Sequence, residues 1–409
     1  MARYPLLTRR ELIASLTAGM SLVMTRSHSL GQTPEPVGGV DFAGSIGSLL
    51  AAAPEREFDE DAPISFYYAD LAGQLAAAGI ERIDPSEPPT DLPPGLAEAT
   101  LALPLASRPF MTGLDPEWFA TFGFNPFAIG QSLDLFGRPS VTSILAGGFD
   151  RERVERALEE SGYELVLQES GGPYWSVGND PDFGTSAGRL GGGQMNHILV
   201  SDDVLVFSQT EADVQAVSQV LADVAPSMAE QDLWPGVVSA FSPDLVGLVP
   251  AAGSLLRSEP GMASPVASPV PDTDRDGIEY LAFGVRAGSR SAPLALVGEG
   301  TPEPEPAADA EVVPARVEAR LWYGSEEMAA REAEQIPVRW NETSSELTGE
   351  PYAELMEIED ARVSSTNQTV VAVDFITDVP NRWTQLIHTG DLAPLMPPPP
   401  VGLVGPNGR

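Results

Sequence analysis

The chain has 409 residues and a formal net charge of −36, from 59 acidic side chains and 23 basic ones, every basic one an arginine. It holds no cysteine, which excludes disulfides, thiolate metal sites and a cysteine nucleophile, and no lysine, which excludes a Schiff base and a phosphate-loop lysine. So acidic a balance argues against nucleic acid and anionic membrane surfaces as partners, while 43% of residues of the AVILMFWYC set is enough for real cores in two domains of ordinary size.

In chain order, Thr8-Arg9-Arg10-Glu11-Leu12-Ile13 comes first, followed by an apolar run from Leu12 to Met24 and by Ser29-Leu30-Gly31. This order resembles a twin-arginine export signal. The run is too short for a mature membrane helix, which takes roughly 20 residues, so a removable signal fits better than a retained anchor. Cleavage is expected before Gln32, with no transmembrane helix left in the mature chain. The resemblance implies a chain folded before export and located in the periplasm, at the cell surface or outside the cell. Of three histidines, His28 leaves with the signal, so His197 and His388 remain for any metal site or triad.

A strand is expected over 64–70 and a short helix over 71–79, with Gly79 as its C-cap. The aromatic run Phe110, Trp118, Phe119, Phe122, Phe124, Phe127 and Phe136 reads as packing beneath a sheet, with Asp115-Pro116 opening a short helix. A strand over 141–146 then leads through Asp150, an N-cap residue, into a helix marked by Val154, Ala157 and Leu158. A hairpin follows around Ser201-Asp202-Asp203, then a helix over 210–223. The same order recurs later: a strand over 317–322, a cap at Ser325, a helix to Gln335, a hairpin around Thr366-Asn367-Gln368 and a helix over 381–388.

The recurrence predicts an α+β protein of two related lobes, each an antiparallel sheet with helices packed on one face. The expected division is a signal at 1–31, a first lobe at 32–257, a Pro/Ser/Asp-rich linker at 258–277, a second lobe at 278–393 and a Pro-rich tail at 394–409. Any ligand would lie between the lobes, since clefts between domains are preferred positions. Phe66-Tyr67-Tyr68-Ala69-Asp70-Leu71, Gly123-Phe124-Asn125-Pro126, Gly147-Gly148-Phe149-Asp150 and Ser161-Gly162-Tyr163 together resemble uncharacterised exported bacterial proteins of the domain-of-unknown-function type. That resemblance spans the first lobe, implies a secreted or surface location and transfers no functional residue.

Two motifs bear on chemistry. Gly184-Thr185-Ser186-Ala187-Gly188 has the G-x-S-x-G spacing of a nucleophile elbow, close to that of patatin-like lipases, but lacks the apolar strand before and the helix after that would lift the hydroxyl from a sheet. It reads as a glycine-rich loop. A secreted serine hydrolase with Ser186 as nucleophile and His197 as base is the alternative to a non-catalytic structural, interaction or ligand-binding protein acting on an unidentified protein or small ligand. Asp272-Thr273-Asp274-Arg275-Asp276-Gly277 places three carboxylates on one side of a turn, as in the first half of a calcium loop. Phe283 stands where the bidentate glutamate belongs, so Glu279 would have to complete a site of Asp272, Asp274, Asp276 and Glu279 for weakly held calcium; a solvated acidic linker is the other reading.

Overall fold

The computed structural model describes residues 42–56, 64–89, 92–105, 107–137, 140–168, 170–178, 183–253, 278–288 and 313–396. The export signal, the aspartates at 272, 274 and 276, most of the Pro-rich connections and residues 397–409 of the expected tail lie outside the described residues; residues 394–396, expected to open that tail, instead belong to the second unit, with Leu395 buried in its core.

The chain begins with α1 (Phe42–Ala52), β1 (Phe66–Asp70) and α2 (Leu71–Ala77). Asp70 ends the strand and caps the helix, its carboxylate accepting from the Gly73 N–H at 2.8 Å. Past Ala78, Gly79 has φ +67°, the left-handed backbone that closes a helix. Short helices α3 (Leu96–Thr100), α4 (Arg108–Thr112) and α5 (Trp118–Phe122) precede the hairpin of β2 (Gln131–Phe136) and β3 (Val141–Ala146). Helix α6 (Arg151–Glu160) follows, capped by Asp150 as expected. The edge hairpin β4 (Glu164–Val166) and β5 (Tyr174–Ser176) comes next, then α7 (Ser186–Gly191), the hairpin β6 (His197–Val200) and β7 (Val204–Ser208), α8 (Glu211–Leu221) and α9 (Leu233–Ser239).

The remainder comprises β8 (Leu245–Ala252), β9 (Ile278–Arg286), β10 (Ala315–Tyr323), α10 (Glu326–Glu342), α11 (Tyr352–Leu355), β11 (Glu357–Val363), β12 (Val370–Thr377) and α12 (Arg382–Thr389). Ser325 caps α10, accepting from the Met328 N–H at 3.3 Å. The helix continues through Pro337, past the expected end at Gln335. Proline removes one helical hydrogen bond and crowds the preceding turn. Ile336 and Trp340, both buried in the core on either side of it, hold the two segments in line.

The twelve described strands form one antiparallel sheet in the order β11-β12-β10-β9-β8-β1-β2-β3-β7-β6-β5-β4. Ten of them fall into two sets of five with the same connectivity, β4 and β5 being an addition at one edge. In each set three strands form a meander, a helix crosses (α6 or α10), and a returning hairpin places its second strand beside the third (β7 beside β3, β12 beside β10). The α+β antiparallel reading therefore holds, and the matched hairpins at Asp202 and Asn367 occupy equivalent places.

The units meet differently from the expected cleft. Their first strands, β1 and β8, pair antiparallel, Tyr68 opposite Leu248 and Ala69 opposite Gly247, so backbone hydrogen bonding runs on through the junction. Strand β8 opens the second unit, which moves the boundary between units ahead of residue 245 rather than to 258.

Partner residues across an antiparallel sheet share a face. Tyr68, Leu133, Ile144 and Val206 thus define a front face, where α1, α8 and α9 pack through Leu49, Val217 and Trp234. Tyr67, Val249, Phe283, Ala319 and Val373 define the back, covered by α2, α10 and α12, and by α5, α6 and α7 at the other end. Among the described residues the second unit has helices on the back alone, as expected; the first has them on both faces. The aromatic run packs as predicted: Trp118, Phe122 and Phe124 are buried together on the back.

Candidate ligand-binding site

On the front of the second unit the apolar cluster extends to Ala282 and to Trp322, which stacks on Tyr280 with ring centroids 4.6 Å apart. Beyond it, period-two alternation turns charge outward. Strand β10 sends Val317, Ala319 and Leu321 to the back and Arg316, Glu318 and Arg320 to the front. The cross-strand neighbours of Glu318 are Asp374 on β12 and, beyond it, Asp360 on β11. A register shift between Ile358 and Asp360 makes Glu359 a bulge residue, and bulges re-aim side chains. The result is a cavity of about 300 Å³ lined by Arg286, Arg316, Glu318, Glu359, Asp360 and Asp374, with Val317 and Phe375 between them.

Most of these charges satisfy one another. Arg320 donates to Glu318 at 2.5 Å and to Asp374 at 3.0 Å; Arg362 donates to Asp374 at 2.8 Å and also pairs with Asp360. Arg286 reaches Asp244 at 2.8 Å. The loop after α9 covers the inner end: the Ser242 N–H and hydroxyl both donate to Glu318, Arg320 donates to the Ala240 carbonyl at 2.8 Å, and its guanidinium lies 5.2 Å from the centre of the Phe241 ring. Burial alone would raise the Asp374 pKa, but the Arg362 and Arg320 hydrogen bonds and charges outweigh it and leave it lowered. Two side chains stand apart. Arg316 and Glu359 are exposed, line the cavity and make no side-chain hydrogen bond or ion pair among the described residues.

The motif residues are not brought together. Ser186 begins α7, so a helix does follow the motif where the sequence suggested a loop; Thr185 caps it and the Ser186 hydroxyl is bonded to Glu117. Helix α7 packs on the back through Ala187 and Leu190. His197 lies opposite Ser208 and, through it, Thr142, Leu135 and Phe66, hence on the front. The sheet therefore separates Ser186 from His197. The His197 ring sits 6.0 Å from that of Tyr174, is only 2% exposed, and neither nitrogen has a hydrogen-bond partner among the described residues. Burial lowers its pKa, and the charge of Glu211 opposes this less strongly. Glu279 is exposed at the start of β9, and among the described residues no group of three or more His, Asp or Glu is arranged to hold a metal ion.

His388, on α12, pairs through Nε2 with the Tyr67 hydroxyl, while Trp383 donates to the Ala102 carbonyl at 3.1 Å. These bonds carry the last helix of the second unit across to the first unit on the back of the sheet. They also explain why α12, unlike α8, does not lie on the front. Burial raises the Tyr67 pKa well above the ordinary phenol value, with the Asp134 charge adding to it, so the phenol is held neutral.

The cavity has a legible trace in the sequence: charged residues two apart in Arg316, Glu318 and Arg320, and again in Asp360 and Arg362, on strands whose alternate residues are apolar. The pairing of β12 with both β10 and β11, which gathers them, has none. No described helix is long and apolar enough to cross a membrane. No protein-family model and no curated protein matches the chain. Among solved structures it is similar to crystal form I of TP0453, at 9% identity over 84% of this chain and 97% of that one, with a TM-score of 0.35.

Proposed function

We propose that the chain is an exported, non-catalytic ligand-binding protein and that the cavity between β9, β10, β12 and β11 receives its ligand. One observation carries this reading: in a chain of net charge −36, four of the 23 arginines gather at one small concavity, Arg286 and Arg316 in its wall and Arg320 and Arg362 paired with carboxylates that line it. Stability gives little reason for them: the buried Arg320–Glu318 pair adds little over apolar side chains of similar size, because desolvation offsets the attraction, and the part-exposed pairs of Arg286 and Arg362 contribute little in water. The equivalent strand of the first unit, β3, shows the apolar solution, presenting Ile144 to the front. Charge retained at this position, beside an open concavity, suits recognition.

The test is native mass spectrometry of protein recovered from outside the producing cells. The recovered chain is expected to begin at or near Gln32 and to carry a small molecule that Arg316→Ala releases. A chain that stays inside the cells, or one that carries the same molecule whether or not Arg316 is replaced, would overturn the reading.

A further inference from the structure

We infer that the ligand is a small zwitterion, its carboxylate met by Arg316 and its ammonium by Glu359. The inference rests on the ligand-binding reading above and goes on to name the ligand's chemistry. Its basis is which charges in the cavity are already satisfied. Glu318 is held by Arg320 and Ser242, Asp374 by Arg320 and Arg362, Asp360 by Arg362, and Arg286 by Asp244. Among the described residues, what remains unpaired in the wall is one guanidinium, Arg316, and one carboxylate, Glu359. Glu357 shares a cross-strand row with Arg316, with Ile376 between them, but does not line the cavity.

Simpler ligands fit less well. A free anion would satisfy Arg316 but would approach against the field of a chain with net charge −36, and would leave Glu359 beside its own charge. A divalent cation needs several oxygen ligands, and the cavity offers one carboxylate not already bound to arginine. A monocation would meet Glu359 and leave Arg316 facing it. A zwitterion carries no net charge against the field and pairs both groups through charge-assisted hydrogen bonds.

Geometry sets its length. Strands β10 and β11 are separated by β12, so Arg316 and Glu359 start about 10 Å apart across the sheet and about two residues apart along it. With both side chains leaning inward, the gap suits charges separated as in a dipeptide or a short ω-amino acid, and about 300 Å³ accommodates either.

The experiment is calorimetric titration of the full chain with three length-matched probes: glycylglycine, its N-acetyl derivative and its amide. Glycylglycine is expected to bind saturably, and each capped derivative, having lost one charge, about tenfold more weakly or worse. Arg316→Gln and Glu359→Gln should each weaken glycylglycine by a similar factor without moving the melting temperature, since both side chains are exposed. The double exchange Arg316→Glu with Glu359→Arg should restore part of the affinity. Equal binding of all three probes, preference for a capped one, or no binding of glycylglycine up to about 10 mM would overturn the inference. A native ligand of other chemistry, released by Arg316→Ala, would leave the ligand-binding reading standing and remove this one.

Discussion

His197 shows how much one buried side chain can reveal. Its ring has no hydrogen-bond partner among the described residues and is kept from water, so the folded protein favours the neutral form. The unfolded chain binds a proton near pH 6.5 while the folded one resists it, so stability should fall as pH drops from about 6.5 toward the lowered folded value. Above that window both states are neutral and the contribution is flat. His388 is lowered in the same direction by burial, so replacing His197 alone should remove only part of the slope. The expected result is that the loss in urea midpoint between about pH 7 and pH 5.5 is smaller in His197→Leu than in the parent. Identical losses would show that His197 takes up its proton as easily folded as unfolded. The sequence marked His197 as a candidate base by scarcity alone; the alternation of His197-Ile198-Leu199-Val200 does not say which side is the front.

Among the elements, those set by local chemistry were legible. Asp150, Thr210 and Ser325 each cap the helix their sequence announces, and the strand at 141–146 has the expected bounds. The misses have tertiary causes: α10 survives Pro337 because Trp340 is anchored beyond it, and α7 forms because Ala187 and Leu190 find a core. The junction between units is likewise a matter of fit between distant segments. Gly247, opposite Ala69, lies so close to its neighbours that a Cβ there would stand 2.8 Å from Pro104 and 2.9 Å from Val285. Gly247→Val should therefore cost about 1–3 kcal/mol by forcing the segment over the junction away from the sheet. Chemical denaturation measures this directly, and an unchanged midpoint would mean that the junction yields without cost.

At the scale of the whole molecule, the single sheet changes what the connection at 258–277 does. Were the units separate lobes, cutting there would free two bodies. Strand β8, N-terminal to the connection, instead pairs with β9 beyond it from Leu245 to Ala252, as well as with β1. A specific protease site built into 258–277 should give two fragments that co-elute on size exclusion and unfold in one transition. Fragments that part under native conditions would show that the junction contributes little. The sequence disclosed the repeat but not its consequence, because strand order within each unit follows from local patterns and the pairing of β1 with β8 does not.

The arrangement of the two five-strand units also sets stoichiometry. An axis through the β1–β8 pair exchanges the units while keeping front as front, so a perfectly symmetric chain would have two equivalent cavities. Here symmetry is broken by covering one of them: on β3 the front residues Thr142 and Ile144 stand where β10 has charge, and α1 and α8 close over them. Among the described residues the paired scaffold thus leaves open on the second unit a face that is covered on the first, and on the ligand-binding reading a titration should reach its end point at one ligand per molecule.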